Sequence, residues 1–115
     1  MRFLILLTQV EDAWEKAPPG EGDRVYQQYL AVERELKEAG AFVDSFRLRP
    51  RSEAKTLRNL PDGEREFIDG PCFESKEAIG GLYIFECASM EEAVGWAKRL
   101  PNYGHGAIEV RPFWE

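Results

Sequence analysis

The rhythm of apolar and polar positions changes several times along the chain. Residues 3–8 open with an unbroken apolar run, Phe-Leu-Ile-Leu-Leu, closed by Thr8, which predicts a short buried strand. Residues 9–22 carry Pro18, Pro19, Gly20 and Gly22 and read as a surface connection. Apolar residues then recur at Val25, Tyr29, Val32, Leu36 and Ala39, steps of four, three, four and three that make one helical face. Asp23 is the expected N-cap, and Gly40 the residue that ends the helix in left-handed backbone. Glu33 with Lys37 and Arg34 with Glu38 form opposite-charge pairs on the wet side.

From residue 41 the pattern turns strand-like. Segments 41–48 and 54–60 are followed by Pro61-Asp62-Gly63, whose residue types suit a tight reversal, and 64–69 returns as the second arm of a hairpin. Gly70-Pro71 breaks that arm, and Gly80-Gly81 marks a bend or bulge before 82–87, the most apolar strand. Ser89-Met90-Glu91-Glu92 has the form of a capping box. The helix it opens turns Ala93, Trp96, Ala97 and Leu100 inward, and Lys98 and Arg99 favour its C-terminal dipole. Pro101 stops it, 102–106 is a glycine-rich loop, and 107–113 is the last strand.

This order, β-α-β-hairpin-β-α-β, predicts an α+β, ferredoxin-like (split βαβ) arrangement with an inserted β-hairpin. Right-handed crossovers place both helices on one face of the sheet. Residues 3–7 and 82–87 are nevertheless apolar on both faces, because successive side chains alternate sides. A second copy of the chain is the simplest cover, so a homodimer packed sheet to sheet is expected.

Composition narrows the function without naming it. The chain has 115 residues, 43% hydrophobic and 31% charged, which fits a single domain over 1–115. Fifteen Lys and Arg against twenty-one Asp and Glu leave a net charge of −6, which argues against nucleic acid and against an anionic membrane as partners. The apolar opening is too short for a signal peptide, and no run approaches the roughly 20 residues of a membrane span. A cytoplasmic protein with reduced thiols is therefore expected, and Cys72 and Cys87 alone make neither a disulfide scaffold nor a zinc site.

The run at 69–77, Asp-Gly-Pro-Cys-Phe-Glu-Ser-Lys-Glu, resembles the D-G-P-F-x-E-[ST]-K-E signature of the DGPF group within the YCII-related proteins. Gly80-Gly81-Leu82-Tyr83, Met90-Glu91-Glu92-Ala93, Trp96-Ala97 and the stretch Ile108-Glu109-Val110-Arg111-Pro112 match the same group in order and spacing. The resemblance runs from residue 3 to residue 112. It implies a dimeric α/β-barrel of ferredoxin-like subunits, mostly bacterial, with no settled biochemical function. Cys72 stands where the group has its phenylalanine, with Phe73 immediately after it. A His–Asp pair proposed as catalytic in the wider family has its histidine on the first helix. Here that helix reads Val25-Tyr26-Gln27-Gln28-Tyr29, so the pair is not carried over.

Chemistry then rests on a few side chains. His105, the only histidine, sits in Tyr103-Gly104-His105-Gly106 and is either a general acid or base or a solvated loop residue. Asp69, at a strand end, is a pocket carboxylate, a turn residue accepting N–H groups, or both. Asp69 and His105 are the candidate catalytic residues. Lys76, Tyr83, Glu109 and Arg111 are the candidate ligand-binding residues, and surface or dimer-seam ion pairing is the structural reading of the charged three. Arg47, Arg49, Arg51, Lys55 and Arg58 against Glu53 make a local charge of +4, an anion-attracting patch or a solvated hairpin. No nucleophile triad, phosphate-binding loop or metal-spaced cluster is present, and no cofactor or metal is expected. The function expected is binding of a small polar organic molecule in a pocket at the dimer sheet interface, with acid–base catalysis as its extension. The alternative is a non-catalytic regulatory or protein-interaction module.

Overall fold

A computed structural model describes residues 1–73, 75–103 and 106–115. Six strands and two helices form in the order β1 (Arg2–Val10), α1 (Glu21–Glu38), β2 (Phe42–Arg47), β3 (Lys55–Asn59), β4 (Arg65–Asp69), β5 (Glu77–Glu86), α2 (Met90–Ala97) and β6 (Ile108–Pro112). Single 3-10 turns occupy Glu11–Ala13 and Arg51–Glu53. Four strands make one sheet in the order β2-β5-β1-β6, every neighbour antiparallel, and β3 with β4 makes a separate hairpin. This is the α+β arrangement expected of a ferredoxin-like chain with an inserted hairpin.

One face of the sheet is the core. Phe3, Ile5 and Phe85 from the central strands are fully buried with Leu36 of α1, and Ala93 and Ala97 of α2 join the same cluster. Both helices therefore cover one face. Removing each large side chain of this set from water stabilises the fold by about 1.5–3 kcal/mol. Tyr29, Phe42 and Phe85 surround Tyr83, with ring centroids 5.8–6.5 Å away. Burial raises the Tyr29 and Tyr83 phenols above the ordinary tyrosine value.

Among the described residues, no layer lies over the other face. Leu4, Leu6, Leu82 and Ile84 point there half-buried, and Phe46 of β2 is 52% exposed. The molecule is a slab 18 Å thick with a radius of gyration of 16.3 Å. A compact chain of this length would have about 13 Å. The excess reflects one sheet with helices on one side only and a hairpin that stands apart from it.

Several local details differ from the sequence expectation. Helix α1 begins at Glu21, and its N-cap is Gly20 at φ +84 with no side-chain cap. Asp23 therefore lies inside the first turn, where its charge complements the helix dipole instead of capping it. Strand β5 begins at Glu77, well before the apolar run, because Gly80 is accommodated as a bulge: Leu7 pairs with Gly81, and Thr8 already pairs with Ile79. A Cβ at Gly81 would lie 3.0 Å from the Phe46 carbonyl oxygen, so the strands approach closely there. The capping box forms in part. Ser89 Oγ accepts the Glu92 N–H at 3.2 Å, while the Glu92 carboxylate takes the N–H of Ala88, one residue earlier than the motif prescribes. Gly40 ends α1 at φ +74, and Gly63 at φ +89 completes the tight reversal between β3 and β4. Among the described residues, no helix is long and apolar enough to cross a membrane.

Candidate functional site

Three connections converge at one end of the sheet. The turn after β1 supplies Glu11, the turn before β3 supplies Arg51 and Ser52, and the segment from β4 to β5 supplies Pro71, Ser75 and Lys76. Together they line a groove of about 610 Å³. The groove is wide open to solvent.

Arg51 organises the groove. Its Nε lies 2.7 Å from Glu11 Oε1, and its backbone N–H donates to Glu11 Oε2 at 3.0 Å. The guanidinium also donates to the Ser75 carbonyl oxygen. One carboxylate thus ties the root of the hairpin to the end of β1. Both side chains are largely withdrawn from water, so the pair is screened less than an open surface ion pair. Three more cations of the basic stretch meet acceptors at the exposed surface. Arg49 meets Glu53 at 2.9 Å, Lys55 meets Asp69 at 3.0 Å, and Arg58 donates to the Cys72 carbonyl at 3.0 Å. Four of the five cations of the patch are thus held by acceptors in or beside the hairpin.

A second set of bonds fixes the neighbouring strand ends. Thr8 Oγ1 donates to Glu77 Oε1 at 2.8 Å and accepts the Ala107 N–H at 2.7 Å. Gly106 lies so close that a Cβ there would fall 1.7 Å from the Thr8 carbonyl oxygen. Trp14 Nε1 donates to Gln9 Oε1 at 3.0 Å, and its ring packs on Tyr103 at 4.6 Å. The starts of β5 and β6 and the end of β1 are held as one unit beside the groove.

The candidate residues from the sequence fall in separate places. Lys76 lines the groove. Asp69 ends β4 two residues before Pro71, and its exposed carboxylate faces Lys55 Nζ. Glu109 and Arg111 form an ion pair at 2.7 Å on the edge strand β6. Their partners across the ladder are Leu6 and Leu4, so both belong to the uncovered face. Tyr83 is 6% exposed and stands on the opposite face, in the core beneath the helices. The structure does not bring Tyr83 together with Glu109 and Arg111. His105 lies outside the described residues. Cys72 is exposed, while Cys87 is buried, which pushes its thiol up and keeps it un-ionised. Among the described residues, no group of three or more His, Cys, Asp or Glu side chains is placed to hold a metal ion.

Glu11 and Ser52 are not legible as site residues in the sequence, and Arg51 is legible only as one member of the anion-attracting patch. Glu11 sits in a stretch that reads as a plain connection, and Arg51 is one cation in a run of five. A further signal is the 69–77 signature itself, since Pro71, Ser75 and Lys76 come from it and the Ser75 carbonyl accepts from Arg51. That signature, the closing strand and the split βαβ order all indicate one relationship, and a family match extends it over the whole chain: the YCII-related domain fits residues 1–115. The chain belongs to the YCII-related family. An uncharacterized protein of Rhizobium meliloti (strain 1021), R00369, is 41% identical over 105 residues, which is 90% of this chain and 82% of that protein. As a YCII-related domain, the chain concentrates its recognisable motif at the groove and its apolar surplus on the adjoining sheet face.

Proposed function

We propose that this YCII-related protein, of the bacterial DGPF type, works as a homodimer closed across the uncovered sheet face into an α/β-barrel. In this reading it binds a small polar organic molecule at the rim of that interface. The single observation that carries the ligand part is the groove at the hairpin root, of about 610 Å³, lined by Arg51, Lys76, Ser52 and Ser75 together with Pro71 and the Glu11 carboxylate that Arg51 pairs with. Two cations and two hydroxyls suit a carboxylate or phosphate group on the ligand. Arg51 is already oriented by Glu11, so little side-chain freedom is lost when an anion binds. Glu109 and Arg111 extend the polar rim on β6, and Tyr83 contributes from the core rather than by contact. Acid–base chemistry on the bound molecule draws on Asp69 and His105.

A thermal-shift screen with small organic carboxylates and phosphate esters tests this reading. Stabilisation by at least one of them, lost in Arg51→Gln and Lys76→Gln, is the expected result. A screen in which no anion stabilises the wild-type protein contradicts it. If a ligand is turned over, His105→Ala abolishes the limb of the pH–rate profile that falls near neutrality, and an unchanged profile removes His105 from the mechanism.

A second reading has an observation of its own. Leu57 and Phe67 face each other across the hairpin, 49% and 72% exposed. An apolar pair displayed on a two-stranded ribbon suits a non-catalytic interaction module, because such a ribbon is marginal in water without support. Phe67→Ser separates the readings: it abolishes partner contact in the second and leaves anion stabilisation intact in the first.

A further inference from the structure

The β3–β4 hairpin is stiff within itself and weakly attached to the rest of the chain. Its strands pair without a slip from Lys55↔Asp69 to Asn59↔Arg65. Both ends of that ladder are closed: the Leu60 N–H donates to the Glu64 carbonyl at 2.8 Å, and the Gly70 N–H donates to the Ala54 carbonyl at 2.7 Å. Thr56 Oγ1 adds a bond to the Gly70 carbonyl at 2.8 Å. Yet no residue of β3 or β4 is buried, and none belongs to the core cluster. An element with a complete ladder and no packing against the core moves as one body about its ends. Its attachment therefore lies at the root. The Leu48 N–H still donates to the Gly80 carbonyl at 2.9 Å, so the sheet holds the entry leg up to that residue. Beyond it, Arg51 makes the joining bonds among the described residues, to Glu11 at the end of β1 and to the Ser75 carbonyl on the exit leg. Lys76, also on the exit leg, lines the same groove and forms no ion pair among the described residues. One cation of the entry leg thus stands beside one cation of the exit leg.

We infer that the hairpin is an arm whose orientation is set by occupancy of the groove: an oxyanion held by Arg51 and Lys76 together fixes it against the sheet. This rests on the anion site proposed above and adds what binding there controls. The coupling follows from which state can use both cations. With the root docked, Glu11 and Ser75 hold the Arg51 guanidinium in the groove that Lys76 lines, and one oxyanion bonds to both side chains. When the arm rocks away from the sheet, Arg51 leaves Glu11 with the entry leg, and the same anion keeps a single cation. A ligand shifts an equilibrium only by its differential affinity for the two states, and the second cation is that difference. By the same linkage, whatever holds the arm down raises the affinity for the anion. The arm also amplifies its root. Its 5-residue strands extend about 17 Å at roughly 3.4 Å per residue, so a rotation of about 10° at the root moves the tip by about 3 Å. Leu57 and Phe67, the exposed apolar pair, ride on this arm, so their position follows the state of the groove.

Residual dipolar couplings of the backbone amides read the arm's orientation, whether the protein is one copy or two. Inorganic phosphate is the probe, because the two cations recognise the oxyanion itself. Without phosphate, the alignment magnitude fitted to residues 55–59 and 65–69 is expected to fall below that fitted to the four-stranded sheet, since rocking averages the couplings. Saturating phosphate brings the two magnitudes together. Lys76→Gln abolishes that convergence, and Glu11→Gln lowers the hairpin magnitude even without phosphate. Cross-strand contacts retained between β3 and β4 in both variants show that the ladder itself is intact. Equal magnitudes in the phosphate-free protein, or magnitudes still unequal with phosphate bound, overturn the inference and leave the anion site standing. Phosphate that shifts no amide resonance of Arg51, Ser75 or Lys76 also overturns it. The proposed function falls with it only if no carboxylate or phosphate ester stabilises the protein either.

Discussion

The two faces of the four-stranded sheet come from the same strands and nearly the same residue types, yet they are finished differently. On one face Phe3, Ile5, Tyr83 and Phe85 lie under α1 and α2 and leave almost nothing to water. On the other, Leu4, Leu6, Leu82 and Ile84 are only half-buried, and Phe46 is open at the edge. The difference shows where the fold draws its stability. The helix-side face is completed within the chain, whereas the open face holds apolar area that no described element of the chain removes from water.

Substitutions on the two faces should therefore behave differently. The largest effect is expected from Phe85→Ala, which removes about 3–5 kcal/mol from the unfolding free energy at every protein concentration, measured by denaturant titration. Leu82→Asp, its counterpart on the open face, leaves the chain folded by circular dichroism and abolishes self-association in sedimentation. If Leu82→Asp unfolds the chain as Phe85→Ala does, the open face is already part of the monomer's core and the contrast fails.

Next in size is Gly106→Ala. A Cβ there collides with the Thr8 carbonyl, so β6 must shift, at about 3 kcal/mol measured by thermal unfolding. An unchanged midpoint would mean that β6 is not clamped at this point.

The fold is legible in the sequence wherever one side chain type governs one piece of geometry. The steps of four and three from Val25 to Ala39 define α1, and Gly40 and Pro61-Asp62-Gly63 mark the places where the backbone turns. The strands that are apolar on both sides, residues 3–7 and 82–87, imply the open face by their alternation alone. Boundaries are less legible where pairing overrides pattern. Strand β5 starts at Glu77 because its neighbour β1 continues to Val10 and a glycine bulge absorbs the mismatch, neither of which periodicity reports. The groove is the least legible part. It joins residues from positions 11, 51 and 75, whose proximity is a property of the hairpin's placement and not of any local motif.

The covered face also sets the pH response. Burial raises Tyr29 and Tyr83 above the ordinary value of 10.0. The unfolded chain therefore releases these protons first, and stability is full below about pH 10 and falls as pH rises beyond it. Tyr29→Phe should flatten that decline in alkaline denaturation curves, and an unchanged slope would show that another group drives it. The smallest effect is expected at the α2 cap. Ser89→Ala loses the bond to the Glu92 N–H and about 1 kcal/mol of stability, read from the urea midpoint, with no change in self-association because the cap is remote from the open face.

In the reading proposed above, a second copy of the chain closes the uncovered sheet face. Light scattering of the purified protein at micromolar concentration tests it most directly. A homodimer scatters with twice the chain mass of 13.2 kDa, independent of dilution across that range. A single-chain mass of 13.2 kDa under the same conditions contradicts it.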